Sequence, residues 1–185
     1  DTAIIIGQDS GGLHAWNFAM THPEKTDRLI AIGTPHPAGL IRELAINPDE
    51  QKATTFQRGM LENPNAGAEF GTRLRSRPLR QDDTPEVAKM RQEAFDRLDV
   101  ESVVNFYKAN WPRPPFTLET KGFGYRIGEF PKVKAPTLMI YGTNSGAFLP
   151  STLNDIWRWI DKDFTLYVVP GVGGAPHTEV PEFVN

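Results

Sequence analysis

With 185 residues the chain has room for one domain of ordinary size, or for a core carrying an inserted lobe, and too few for two large independent domains. Its net charge of −3 supplies no broad positive field and no basic cluster is interleaved with aromatic residues, so no nucleic-acid partner is expected. The absence of cysteine excludes a disulfide framework and a thiolate metal site and makes a cytoplasmic location the expectation; no apolar run approaches the roughly 20 residues of a membrane span, so no membrane partner is expected either.

The chain opens on Asp1-Thr2 and runs straight into Ala3-Ile4-Ile5-Ile6. Such a run reads as a strand buried on both faces, a central parallel strand that needs a neighbour on each side. A helical pattern follows from Ser10 to Thr21, and a second apolar run spans Leu29 to Ile32. From Pro48 to Pro131 no strand of comparable quality occurs, but helix signals do. Thr84-Pro85-Glu86 offers an N-cap, a proline suited to the first helical position and a first-turn acid, followed by Val87, Met90, Ala94 and Leu98 on one face. Asp99 is positioned to cap a further helix through Val103, Val104, Tyr107 and Trp111, which "WPRPPF" ends. The stretch Arg73 to Arg80, with Asp82 and Asp83 behind it, reads as a solvated loop. Strands return at Thr137 to Tyr141 and Thr165 to Val169, with a helix expected between them from Ser151 to Ile160. Strands alternating with helices predict βαβ units and a parallel sheet, here divided as core (1–47), helical insertion (48–131) and core (132–185). A chain that opens on a central strand and stops at "PEFVN", in what reads as the first turn of a helix, is expected to lack material at both ends.

Gly7-Gln8-Asp9-Ser10-Gly11-Gly12, between a strand and a helix, has the spacing of a nucleophile elbow with aspartate at its centre. Gly7 and Gly11 are expected to remove side chains where strand and helix pass closely, letting Asp9 adopt a strained backbone and project from the sheet edge. Taken alone, the turn also allows a plain helix start with Asp9 as its N-cap, the less favoured of the two readings.

The longer stretch "GQDSGGLHAWNFAMTHPEKTDRLIAIGTPHP" resembles the epoxide-hydrolase branch of the α/β-hydrolase superfamily, and the likeness resumes at "VVNFYKANWP", "APTLMIYG", "FLP", "VVPGVGG" and "EVPEFVN". The resemblance implies an α/β-hydrolase core, apparently without its N-terminal strands, and a helical cap over the insertion. It implies Asp9 as a nucleophile that opens an epoxide through an aspartyl ester, the Ser10 N–H in the oxyanion hole, and Tyr107 as the ring-opening donor on a helix roofing the elbow. A carboxylate suits attack on saturated carbon because it is already charged at neutral pH. The second family tyrosine falls where Phe56 and Gly59 stand, which leaves Tyr125 as the next donor candidate. Phe106, Trp111 and Tyr125 are expected to line an apolar substrate pocket. No cofactor or metal is implied; a small apolar epoxide is the expected partner, with a homodimer allowed for.

The likeness fails at the relay that would hydrolyse the ester. The family's acid position holds Ser145 and its base position Gly174, with His177 three residues later as the remaining base candidate. Asp155 and Asp161 read as surface charges, and His14, His22 and His36 as structural or rim groups. Two rivals stay open: a haloalkane or haloacetate dehalogenase, weakened by Ser10 where a halide-binding tryptophan is usual, and a non-catalytic binding protein or fragment that keeps the elbow without its relay.

Overall fold

The computed structural model describes residues 1–76 and 84–184. Strand β1 (Ala3–Gln8) passes through Asp9 into helix α1 (Ser10–Thr21), and a 3₁₀ turn returns the chain to β2 (Thr26–Ile32). Helices α2 (Pro37–Ile46), α3 (Pro48–Ala53), α4 (Thr55–Glu62), α5 (Ala66–Arg75), α6 (Pro85–Asp96) and α7 (Val100–Asn110) come next. The chain then adds β3 (Thr137–Gly142), β4 (Phe164–Val169) and the short α8 (Pro176–Glu179). It divides into two compact units, residues 1–55 with 112–185, and residues 56–111.

The first unit holds a four-stranded sheet of order β1-β2-β3-β4 with every pairing parallel. The two-residue period of a strand decides its packing. Leu29, Met139 and Tyr141 are wholly buried on one face, while Ile32, Ile140, Val169 and Val172 form a cluster on the other. Helix α1 packs on β1 and β2 and buries Trp16 completely, and the Trp16 indole donates to the Thr34 carbonyl at 3.0 Å. The second unit is helical. Its core gathers Met60, Val104, Tyr107 and Trp111, with Phe56 edge-on to the Tyr107 ring at 6.3 Å. Among the described residues, no helix is long and apolar enough to cross a membrane.

The caps at Thr84 and Asp99 form as their sequences predict: Thr84 accepts from the Val87 N–H and Asp99 from those of Glu101 and Ser102. Among the described residues Ala3–Ile6 pairs with β2 alone, and Ile4 and Ile6 are exposed. Three expectations change. The helix expected from Ser151 to Ile160 is two 3₁₀ turns, Pro150–Leu153 and Ile156–Trp159, because Asn154 is extended at ψ 133° and Asp155 is left-handed at φ 59°. The apolar face of α6 is not buried, and Val87 and Met90 are exposed. Arg73 and Arg75 belong to the last turn of α5 and not to a loop; the remainder of that stretch, with Asp82 and Asp83, lies outside the described residues.

Gly7 has a steric reason. A Cβ there would overlap the Gly11 carbonyl and stand 2.6 Å from the Ala15 Cβ, so β1 and α1 could not pass at their present distance. Gly11 itself meets nothing within 4 Å, contrary to expectation, and the second close approach belongs to Gly12, whose Cβ would lie 2.5 Å from the Thr34 hydroxyl. Gly7→Ala is therefore expected to lose about 1–3 kcal/mol of unfolding free energy in urea titration. Gly11→Ala should be neutral or gain up to about 1 kcal/mol through helix propensity.

Candidate active site

Because all four strands run parallel, their C-terminal ends and the loops that follow share one edge of the sheet. That edge collects Asp9 after β1, Gly33 to His36 after β2, Thr143 to Leu149 after β3 and Pro170 to Ala175 after β4. In open α/β sheets ligands bind outside the carboxyl ends of the strands.

Asp9 sits at φ 51°, ψ −127°, a region that side chains rarely occupy and that stores on the order of 1–3 kcal/mol of strain. Its carbonyl is held by the Gly12 N–H at 2.9 Å and by the Thr34 hydroxyl at 2.9 Å. The side chain does not cap α1, which removes the plain helix-start reading of the turn. Asp9 remains solvent-exposed, yet desolvation by the surrounding protein raises its carboxyl pKa, and the Ser10 N–H, donating to it, partly opposes this.

The loops carrying Ser145 and Gly174 are fastened together. The Asn144 N–H donates to the Val172 carbonyl at 2.8 Å, the Asn144 amide to the Gly171 carbonyl at 3.0 Å, and the Gly171 N–H to the Thr143 hydroxyl at 2.9 Å. The Gly174 carbonyl accepts from Gln8, next to Asp9 in sequence, at 3.3 Å, and Gly33, at φ 68°, packs so closely on it that a Cβ there would overlap. A side chain added at Gly174 would meet one atom within 4 Å, the Ser145 Oγ, at 3.6 Å. The two positions that the resemblance assigns to base and acid therefore face each other beside the aspartate's turn, filled by residues that can do neither job.

His177 lies on α8 with its Nδ1 buried and without a hydrogen-bond partner. The carboxylate of Glu179 is taken up by the Gly173 and Ala175 N–H groups at 2.8 and 3.2 Å, and among the described residues no acid bonds the His177 Nδ1. Tyr125 bridges to Gly122 and packs on Phe130 at 5.1 Å within the first unit. In the second unit Tyr107 is 6% exposed, with Phe106 at 5.4 Å and Trp111 at 6.0 Å. Phe56 lies edge-on to the Tyr107 ring at 6.3 Å. Among the described residues no cluster of three or more metal-ligating side chains occurs.

The remaining histidines divide by environment. His14 is exposed, and His22 stacks on Phe18 at 4.8 Å. His36 is wholly buried, stacked on Trp159 at 5.0 Å and edge-on to Trp16 and Phe130. Its Nδ1 accepts from the Ala38 N–H at 3.1 Å and caps α2, which assigns the proton to Nε2. Sequence reasoning missed Gly12, Gly33, Thr34 and the buried Glu50; the glycines carry a signal in principle, but a threonine after a strand and a glutamate in a first helical turn carry none.

The class follows from this geometry: the chain belongs to the alpha/beta hydrolase fold family, which matches residues 1–176. Its relatives narrow the likeness. Over 98% of its length the chain is 20% identical to Epoxide hydrolase 3 of Xenopus tropicalis, covering 50% of that protein, and 44 residues are 41% identical to Epoxide hydrolase 1 of Caenorhabditis elegans, 24% of this chain and 11% of that one. Among solved structures it is similar to an epoxide hydrolase from metagenomes of hot environments, with 26% identity and a TM-score of 0.77 over 100% of this chain and 65% of the other. A mutant epoxide hydrolase from Bacillus megaterium matches with 21% identity and a TM-score of 0.73, over 100% and 66%. The chain spans just under two thirds of these structures and half or less of the curated relatives.

Burial pushes the His36 pKa down to about 3. The unfolded chain then binds a proton that the folded one refuses, so stability present above the ordinary value of 6.5 is lost as pH falls toward 3, by on the order of 4 kcal/mol. His36→Asn keeps a capping acceptor and deletes the titration. Urea midpoints measured from pH 7 to 4 should be lower at neutral pH for the variant, from lost ring packing, but flatter across this window.

Proposed function

We propose that this chain carries the nucleophile side of an epoxide-hydrolase-type reaction, in which the Asp9 carboxylate attacks an epoxide carbon and forms an aspartyl ester while the C–O bond breaks. The observation that carries the reading is the strained turn at Asp9, held on the sheet's C-terminal edge without capping α1. A raised carboxyl pKa fits a site partly stripped of water, where a carboxylate is a stronger nucleophile. The opening oxygen needs a proton, and Tyr107 is the donor we assign; the adjacent Phe56 explains why one tyrosine would act alone. Phe106 and Trp111 favour an apolar substrate, and Tyr125 is the alternative donor.

Hydrolysis of the ester is the impaired step. It needs a base-activated water and an oxyanion hole, to which we assign the Ser10 N–H. Ser145 is too weak an acid to orient a base, Gly174 has no side chain, and among the described residues no acid bonds the His177 Nδ1. The same vacancies favour the non-catalytic reading, which differs in predicting no chemistry at all. Replacing Gly174 by histidine and Ser145 by aspartate places a base and an acid at positions where a Cβ on residue 174 would lie 3.6 Å from the Ser145 Oγ. Gly174→His with Ser145→Asp is expected to raise diol release from styrene oxide by about 100-fold or more over the unaltered chain, followed by chromatography. Equal and sustained release by both proteins would show that the relay is already complete, and none from either would favour the non-catalytic reading.

A further inference from the structure

Glu50 is the buried titratable group that the proposed reaction leaves unused. It lies in the first turn of α3, where a glutamate ordinarily faces solvent and the helix dipole, yet none of its surface is exposed. Its Oε2 accepts from the Leu149 N–H at 2.9 Å, and its Oε1 is buried without a hydrogen-bond partner among the described residues. The titratable groups facing it offer no compensation. Glu43, on α2, adds like charge and is engaged by Arg42 at 3.0 Å and Asn47 at 3.2 Å; Tyr141, on β3, donates to the Phe148 carbonyl at 2.7 Å. A carboxylate left this way is an expensive core residue unless its hydrogen bond does something.

That bond leads to the candidate site. Leu149 follows Phe148, whose N–H donates to the Ser145 Oγ at 3.3 Å, and the Ser145 Oγ is the atom that a side chain at Gly174 would meet. The Leu149 carbonyl is pinned from the other side by the Thr152 hydroxyl at 2.6 Å and its N–H at 3.0 Å. We propose that Glu50 is a positioning residue: from α3 its carboxylate grips Leu149 and so fixes the loop that holds Ser145 against Gly174. What the grip does for catalysis rests on reading Ser145 and Gly174 as relay positions; the grip itself does not.

The grip responds to pH near neutrality. Burial, with Glu43 adding to it, pushes the Glu50 carboxyl up to about 7, against the opposing Leu149 bond. The ionised form is a charged acceptor for that N–H, roughly twice as strong as a neutral one, so the loop is held tightest above about pH 7. Global stability runs the other way. With a folded pKa above the ordinary 4.5, the contribution of Glu50 is present at low pH and is lost as pH rises through 7. A purely structural glutamate would move stability alone.

The test is an NMR titration of the full chain in a His177→Gln background, which removes the one imidazole near Gly174 in sequence. The Cδ of Glu50 and the amides of Leu149, Ser145 and Gly174 should titrate together with a midpoint near 7, and Glu50→Gln should abolish the amide titrations while raising the urea midpoint above pH 7. Flat Ser145 and Gly174 amides while Glu50 titrates would overturn the proposal, as would titrations that persist in Glu50→Gln; the parent titration decides alone if the variant does not fold. No epoxide is involved, so this outcome is separate from that of the proposed reaction.

Discussion

Everything at the candidate site depends on how closely β1 and α1 pass. With no side chain at Gly7, the strand lies directly on the Gly11 carbonyl, and the single residue available to reverse the chain, Asp9, takes a positive φ of 51°. That conformation is unfavourable for aspartate and persists because its carbonyl is held twice, by the start of α1 and by Thr34. The carboxylate does not cap the second or third N–H of α1, and it lies on the sheet edge with a raised pKa.

The rest of that edge is built to keep the turn in place. Trp16 ties α1 to the Thr34 carbonyl, His36 packs on Trp16 and caps α2, and the loops after β3 and β4 are stitched to each other before the second meets Gln8 and Gly33. These contacts are mostly backbone hydrogen bonds and close glycine approaches, so the frame persists although the side chains at Ser145 and Gly174 cannot serve as acid and base. A frame of this kind separates two abilities that hydrolysis joins. Forming an ester requires a carboxylate and a proton donor; removing it requires an oriented base.

The parts legible in the sequence were those with short-range causes. Periodicity located all four strands, the glycine pattern located the elbow, and Thr84 and Asp99 announced their helices. The pairing partners of β1 are not written in its apolar run, because strand neighbours are set by the fold and not by local pattern. The segment from Pro150 to Trp159 was misread because apolar spacing suits two 3₁₀ turns as well as one helix, and the left-handed Asp155 leaves no mark. Glu50 was invisible for a similar reason: its burial comes from Leu149, Tyr141 and Glu43, all brought together by the fold. The facing of Ser145 and Gly174 is likewise a long-range fact, and it gives the two apparent vacancies a common location.

The central claim is that Asp9 is a competent nucleophile in a chain whose relay is incomplete. Intact-protein mass spectrometry after incubation with styrene oxide tests it most directly, with peptide mapping to locate any adduct and Asp9→Asn as the control. A persistent adduct of one styrene oxide on Asp9, absent from the control, is the result this account predicts. An unmodified Asp9, or equal labelling of the control, would contradict it.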